Sequence, residues 1–191
     1  MVLILSAPKK NPMKYRRIYQ PGGSYFFTVV TDQRRPILAS ADRVTLFRDC
    51  CRRVMAAHPF RINAIVILPD HIHVIWTLPP NDSDYSLRWM VIKRLFTQSL
   101  HLGHDSFVEP ARRRKGEQPI WQRRFWEHLI RDEDDFIRHV EYIHYNPVKH
   151  GLATSPYAWP HSSFRRFVEA GYYPCDWAAG EPFSSASAFV E

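Results

Sequence analysis

An α+β fold, with an antiparallel sheet of four strands and helices packed on it, is what this sequence predicts, and three observations carry the prediction. Four short runs rich in Val, Ile and aromatic residues have strand length: 24–31, 64–68, 74–78 and 125–130. Between them lie stretches whose apolar residues recur three or four apart, the period of a helix with one buried face. Turn chemistry separates the two kinds of segment, at Pro21-Gly22-Gly23, Pro69-Asp70 and Pro79-Pro80.

Taken in order, SYFFTVVT at 24–31 is the first strand, ended by 32–36. A helix follows over 41–58, with Val44, Leu46, Phe47, Val54 and Met55 on its apolar stripe, Asp42 near its start and Pro59 bounding its end. The stretch 62–78, INAIVILPDHIHVIWTL, predicts a buried hairpin turning at Pro69-Asp70, with His71 and His73 opening its second strand. Side chains alternate along a strand, so the two imidazoles point to one face and Ile72 to the other. The cluster NDSD at 81–84 offers N-caps for a second helix, 85–101, with Trp89, Ile92, Phe96 and Leu100 on its stripe and Arg88, Lys93 and Arg94 off it.

Residues 103–118 include ARRRKGEQ, a cation-rich loop and candidate phosphate contact. A fourth strand is expected around 125–130, with Arg123 and Arg124 leading into it. The acidic run 132–135 precedes a helical pattern, where carboxylates cap backbone N–H groups, so it reads as structure and not as a metal cluster. In the helix beyond, Phe136, Val140 and Ile143 form the core stripe and Arg138, Tyr142 and Asn146 a neighbouring one. Asn146-Pro147 is expected to close it, because the residue before proline is biased away from helical geometry. The order βαββαβ plus a helix predicts a ferredoxin-like sheet with helices on one face and an added C-terminal helix carrying the tyrosine. A basic arm at 1–20, a domain at 21–155 and an extension at 156–191 that packs along the domain and then frays complete the expected organisation.

Composition narrows the function. Of 191 residues, 45% are hydrophobic, which excludes a disordered chain, and 26 Lys and Arg against 19 Asp and Glu give a net charge of +7, which favours a polyanionic partner. No segment approaches the apolar length of a membrane span, and MVLILSAPKK places its cations after its apolar run, unlike a secretory signal. Three cysteines, two adjacent and one distant, suit neither a disulfide framework nor a zinc knuckle, so a cytoplasmic, reduced location and no membrane partner are expected.

The chemistry-bearing residues converge on one constellation. His71 and His73 are half of a metal site; Asn146 offers a neutral oxygen ligand, and a mixed N/O set with open positions suits Mg or Mn, with Zn possible. Tyr142 stacks one turn from Asn146, which would put a phenol beside a Lewis acid. Tyr145 is the rival nucleophile, although its own i+4 partner, Lys149, lies beyond Pro147. For nucleic-acid contacts the candidates are Arg16 and Arg17 on the arm, Arg88, Trp89 and Lys93 on the second helix, and Arg123 and Arg124 before the fourth strand.

His71-Ile72-His73 resembles the HUH motif of single-stranded DNA endonucleases, and YIHYNPVKHG at 142–151 resembles the single-tyrosine motif of the REP-associated tyrosine transposases. The likeness extends through YRRIYQPGGSYFFTV, RWMVIKRLF, FWEHLIRDEDDF and WPHSSF. It implies Tyr142 as nucleophile and His71, His73 and Asn146 as ligands of a divalent metal, where related insertion-sequence transposases usually carry Gln at the position of Asn146. It further implies cleavage and rejoining of single-stranded DNA at REP-type hairpins through a 5′-phosphotyrosine. A monomer is expected; a domesticated hairpin-binding protein that no longer cleaves is the alternative.

Overall fold

The computed structural model describes residues 17–101 and 120–179; Arg16, the stretch 111–118 and the end of the chain from 180 lie outside them. Strands β1 (Ser24–Val30), β2 (Arg61–Ile67), β3 (His71–Thr77) and β4 (Trp126–Leu129) form one antiparallel sheet in the order β2-β3-β1-β4. Helices α1 (Ala41–Ala57), α2 (Tyr85–His101), α3 (Glu133–Lys149) and a short α4 (Phe164–Glu169) complete it. This is the ferredoxin-like order, with β1 and β3 at the centre and β2 and β4 at the edges.

Because β3 is covered by neighbours on both sides and by helices on both faces, its residues from His71 to Trp76 are all buried. Its period-two alternation divides them between two cores. Tyr25, Phe27 and Val29 of β1 and Ile72, Val74 and Trp76 of β3 meet α1 and α2 through Phe47, Val54, Trp89 and Phe96. On the opposite face Phe26, Ala64, Val66 and Ile75 meet Val140, Tyr142 and Ile143 of α3. Helices therefore cover both faces of the sheet, not one: α1 and α2 share a side, and the tyrosine helix takes the side to which His71 and His73 point.

Helix α3 begins where its acidic run suggests. Asp132 is the N-cap, its carboxylate accepting from the Asp135 N–H at 2.7 Å, with Glu133 and Asp134 in the first turn. Its end differs from expectation, since the helix runs through Pro147 to Lys149. Pro147 lacks only the N–H that the Ile143 carbonyl would have received, a small loss this close to the terminus. The helix closes instead at Gly151, at φ 66°, through bonds from Gly151 N to Val148 O (2.9 Å) and Leu152 N to Pro147 O (2.8 Å). Lys149 and His150 thus stay in register with Tyr142 and Asn146.

Beyond α3 the chain returns to cover the edge strand β2. Ile67 N donates to His161 O and Ser163 N to Ile65 O, both at 2.8 Å, and the Trp159 indole donates to Ile67 O at 3.0 Å. That strap blunts an edge that would otherwise offer unpaired backbone groups. His144 of α3 is locked beneath it, its Nε2 at 2.9 Å from Ser163 Oγ, and burial, aided by the Arg166 charge, lowers its pKa to about 3. His144 is a neutral packing residue. Among the described residues no helix is long and apolar enough to cross a membrane.

Candidate active site

His71 and His73 leave the Pro69-Asp70 turn on the face that α3 covers. Each has its Nδ1 engaged by a neighbour: His71 by the Asp70 carboxylate at 2.6 Å, His73 by Thr28 Oγ1, from the residue opposite it on β1, at 2.9 Å. Burial works to raise the Asp70 pKa, but the His71 hydrogen bond and the Arg34 guanidinium, 3.2 Å away, outweigh it and hold the carboxyl below its ordinary value. With Nδ1–H donating to Asp70, the lone pair of His71 sits on Nε2, the arrangement found in metal-ligating histidines. That Nε2 is buried and has no hydrogen-bond partner.

Asn146 is fully buried, and neither its Oδ1 nor its Nδ2 has a partner. Leaving such a group unsatisfied costs about 1–3 kcal/mol, so a buried amide of this kind calls for an explanation. An oxygen-binding cation shared with the two histidines supplies one: the donor set is two imidazoles and one carbonyl oxygen, and it fits a divalent metal.

Tyr142 lies one turn before Asn146 and is 2% exposed. Its ring meets the His73 imidazole with centroids 5.1 Å apart and planes 70° apart, and Phe26 edge-on at 5.9 Å. The Lys149 ammonium sits 5.0 Å from the centre of the same ring, within cation–π range. The His150 ring is 5.1 Å from that of His71. His71, His73, Tyr142 and Asn146, distant in sequence, are therefore gathered between β3 and α3, while Lys149 and His150 form an exposed rim. Neither rim residue follows from the sequence once the helix is expected to stop at Pro147. Asp70 and Thr28 needed the sheet register to be seen beside the histidines.

A second group, His128, Asp135 and His139, brings three possible ligand atoms within 4.8 Å of one another. Its carboxylate is already engaged: Asp135 accepts from His128 Nε2 at 2.8 Å and from Arg131 N and Nε at 3.1 and 3.3 Å, and His139 Nδ1 donates to the Asp135 carbonyl at 2.7 Å. Burial opposes the charge on Asp135, yet the His128 and Arg131 bonds hold its carboxyl far below the usual range. With guanidinium groups on the carboxylate, the cluster ties α3 to β4 and does not resemble a cation site.

Two of the expected nucleic-acid contacts are corrected. Arg88 is 1% exposed, its guanidinium donating to Asp82 Oδ2 (2.7 Å), Asp84 O (2.8 Å) and Pro59 O (2.7 Å); it holds the start of α2 in place. Trp89 is equally buried, stacked on Trp76 at 4.2 Å in the core. Neither reaches the surface. Arg17 pairs with the buried Glu127 at 3.3 Å and covers the Phe125 ring at 4.4 Å, so it anchors the start of the described chain. Lys93 and Arg123 do come together, lining an open groove of about 430 Å³ with Arg94, Gln98 and Gln122. Arg124 is exposed beside them in sequence. Burial, with the Arg17 charge, lowers the Lys93 pKa to about 8, and its ammonium donates to Gln122 O at 3.0 Å.

Comparisons with known proteins give the chain's relatives. Residues 20–146 match the family model described as "Transposase IS200 like". A REP-associated tyrosine transposase of Escherichia coli K12 is 44% identical over 165 residues, covering 86% of this chain and 90% of that one. A solved structure of a REP-associated tyrosine transposase bound to a REP hairpin is 41% identical, with a TM-score of 0.74, covering 93% of this chain and 99% of its own.

The unsatisfied amide leads to a stability prediction. Asn146→Leu is expected to stabilise the metal-free protein by about 1 kcal/mol in urea denaturation, because it removes a buried polar group without a partner. It is also expected to abolish the stabilisation that Mn²⁺ gives the unmodified protein by mass action. Equal stabilisation of both proteins by Mn²⁺ would exclude Asn146 as a ligand.

Proposed function

Within the REP-associated tyrosine transposases of the IS200-like family, to which this chain belongs, we propose that it cleaves and rejoins single-stranded DNA beside a REP-type hairpin, with Tyr142 as nucleophile and a divalent metal, Mg or Mn, held by His71, His73 and Asn146. The observation that carries this is the buried, unpartnered Nε2 of His71 and amide of Asn146, on the face where Tyr142 meets His73. The relative bound to a REP hairpin supports the substrate class.

A phenol, with an unperturbed pKa near 10, is a poor nucleophile until it is oriented and its developing charge is met. Helix α3 provides the orientation: Tyr142 is fixed against Phe26 and His73 and aimed from a rigid element. Attack forms the bond from Tyr142 Oη to phosphorus and breaks the bond to the 3′-oxygen. The phenolic proton departs to solvent and the leaving oxygen takes one up, giving a 3′-OH and a 5′-phosphotyrosine. A bound divalent cation would supply charge neutralisation at the phosphoryl oxygens. Lys149, over the tyrosine ring, adds positive charge where the phenolate develops. Asp70 and Thr28 hold the imidazoles so that each presents Nε2. Rejoining is the reverse reaction with another 3′-OH, and it needs no ATP because the phosphodiester energy is kept in the covalent link.

Away from the chemistry, Lys93, Arg94 and Arg123 offer cations along one groove for the phosphates of the hairpin stem. The protein acts as a monomer in this reading, with tyrosine and histidines contributed by one chain.

Two outcomes test the reading. Incubated with Mn²⁺ and a labelled REP-type hairpin carrying single-stranded flanks, the protein should give a covalent band on a denaturing gel, lost with EDTA and in Tyr142→Phe while hairpin binding persists. Binding without a band under any metal would instead identify a domesticated hairpin binder, and a band retained by Tyr142→Phe would move the role to Tyr145. Hairpin affinity should also fall between pH 7 and pH 9, because the Lys93 ammonium, with its pKa lowered to about 8, contributes charge below that pH and loses it above. Lys93→Met should flatten that dependence; an unchanged profile would remove Lys93 from the interface.

A further inference from the structure

Trp126, at the start of the edge strand β4, has no part in either core, and 46% of its surface is exposed. The sheet register gives it a defined relation to the site. Thr28 of β1 is opposite both His73 of β3 and Trp126 of β4, so the three residues form one row across the sheet on one face. Trp126 therefore stands two strand spacings from His73, about 10 Å, along the direction of the backbone hydrogen bonds. A single ring, Phe26, fills the interval: it meets Trp126 edge-on at 5.6 Å, His73 at 5.5 Å and Tyr142 at 5.9 Å.

The indole is also held in place. His128, two residues on, lies nearly parallel to it at 6.0 Å, 8° between planes, and is itself fixed by its bond to Asp135. Ordering this side chain on binding thus costs little. Exposed Arg123 and Arg124 stand three and two positions before it, and a cleft of about 280 Å³ borders the strand at Trp126, His128 and Arg131. An exposed, pre-set aromatic face flanked by cations is the combination that binds unpaired nucleotides, the rings taking bases and the cations their phosphates.

We infer that Trp126 is a stacking platform for an unpaired base flanking the phosphate that Tyr142 attacks. The inference rests on the nuclease reading, since it is the distance from His73 and Tyr142 that selects a base next to the cleaved phosphate and not one of the stem. Stacking holds the strand taut across the sheet between the indole and the reacting centre. It tolerates any base, because every base has a π-face, so Trp126 sets the path of the strand and not its sequence.

The test compares two REP-type oligonucleotides, a hairpin with single-stranded tails carrying 2-aminopurine beside the cleavage point and the same hairpin without tails. Trp126→Ala should bind the tailed form about 5- to 150-fold more weakly, leave the tailless affinity unchanged, and relieve the 2-aminopurine quenching produced by the unmodified protein. Trp126→Phe, which keeps an aromatic face, should recover most of the loss, and an unaltered thermal midpoint would show that the fold is intact. Unchanged affinity of Trp126→Ala for the tailed form, or an equal loss for both forms, would overturn the inference while the covalent band leaves the nuclease reading standing. If the unmodified protein bound neither oligonucleotide and formed no band, both would fall.

Discussion

The register of β3 is the constraint on which the rest depends. Strand residues alternate faces with a period of two, so a slip of one residue would exchange the two sides of the strand. Ile72, Val74 and Trp76 would leave the core they share with α1 and α2, and His71 and His73 would be driven into it. The burial of those three apolar side chains is thus what fixes the imidazoles toward α3. The same register sets Thr28 against His73, carries the row on to Trp126, and brings Asp70 to His71 through the turn that joins β2 to β3.

Against that rigid strand, the tyrosine helix is held by features that have little to do with chemistry. Asp132 caps its start, the Asp135 cluster ties its first turns to β4, His144 is locked under the strap that covers β2, and Gly151 closes its end. These contacts offset a local cost: α3 includes a proline, and it buries an amide whose polar atoms have no partner. Sites that must bind something else commonly sacrifice local stability in this way.

Much of this was legible in the sequence, and the misses have physical reasons. Strand composition and helical period located each strand and long helix among the described residues, and alternation alone put His71 and His73 on one face. Pro147 was read as a terminus because proline biases its predecessor away from the helix, but one lost hydrogen bond in the last turn is tolerated when a glycine closes the end four residues later. That misreading hid Lys149 and His150. Arg88 was read as a surface residue because a helical stripe says which residues share a face, not how wide the buried face is, and α2 packs widely enough to take it in; Trp89 was placed on the apolar stripe and also offered for base stacking, and its burial leaves it the core role alone. Trp126 was invisible as a site residue because its meaning lies in pairing across strands separated by about a hundred positions. Asp135 read correctly as part of a capping run, but its link to His128 is tertiary and leaves no mark in local spacing.

The most direct test of the central claim, that His71, His73 and Asn146 form a divalent-metal site beside Tyr142, is anomalous scattering from crystals of the protein grown with Mn²⁺. A single strong peak bonded to both imidazoles through Nε2 and to the Asn146 carbonyl oxygen is the predicted result. A peak seated instead among His128, Asp135 and His139, or no peak with Asn146 hydrogen-bonded to the protein or to water, would contradict it.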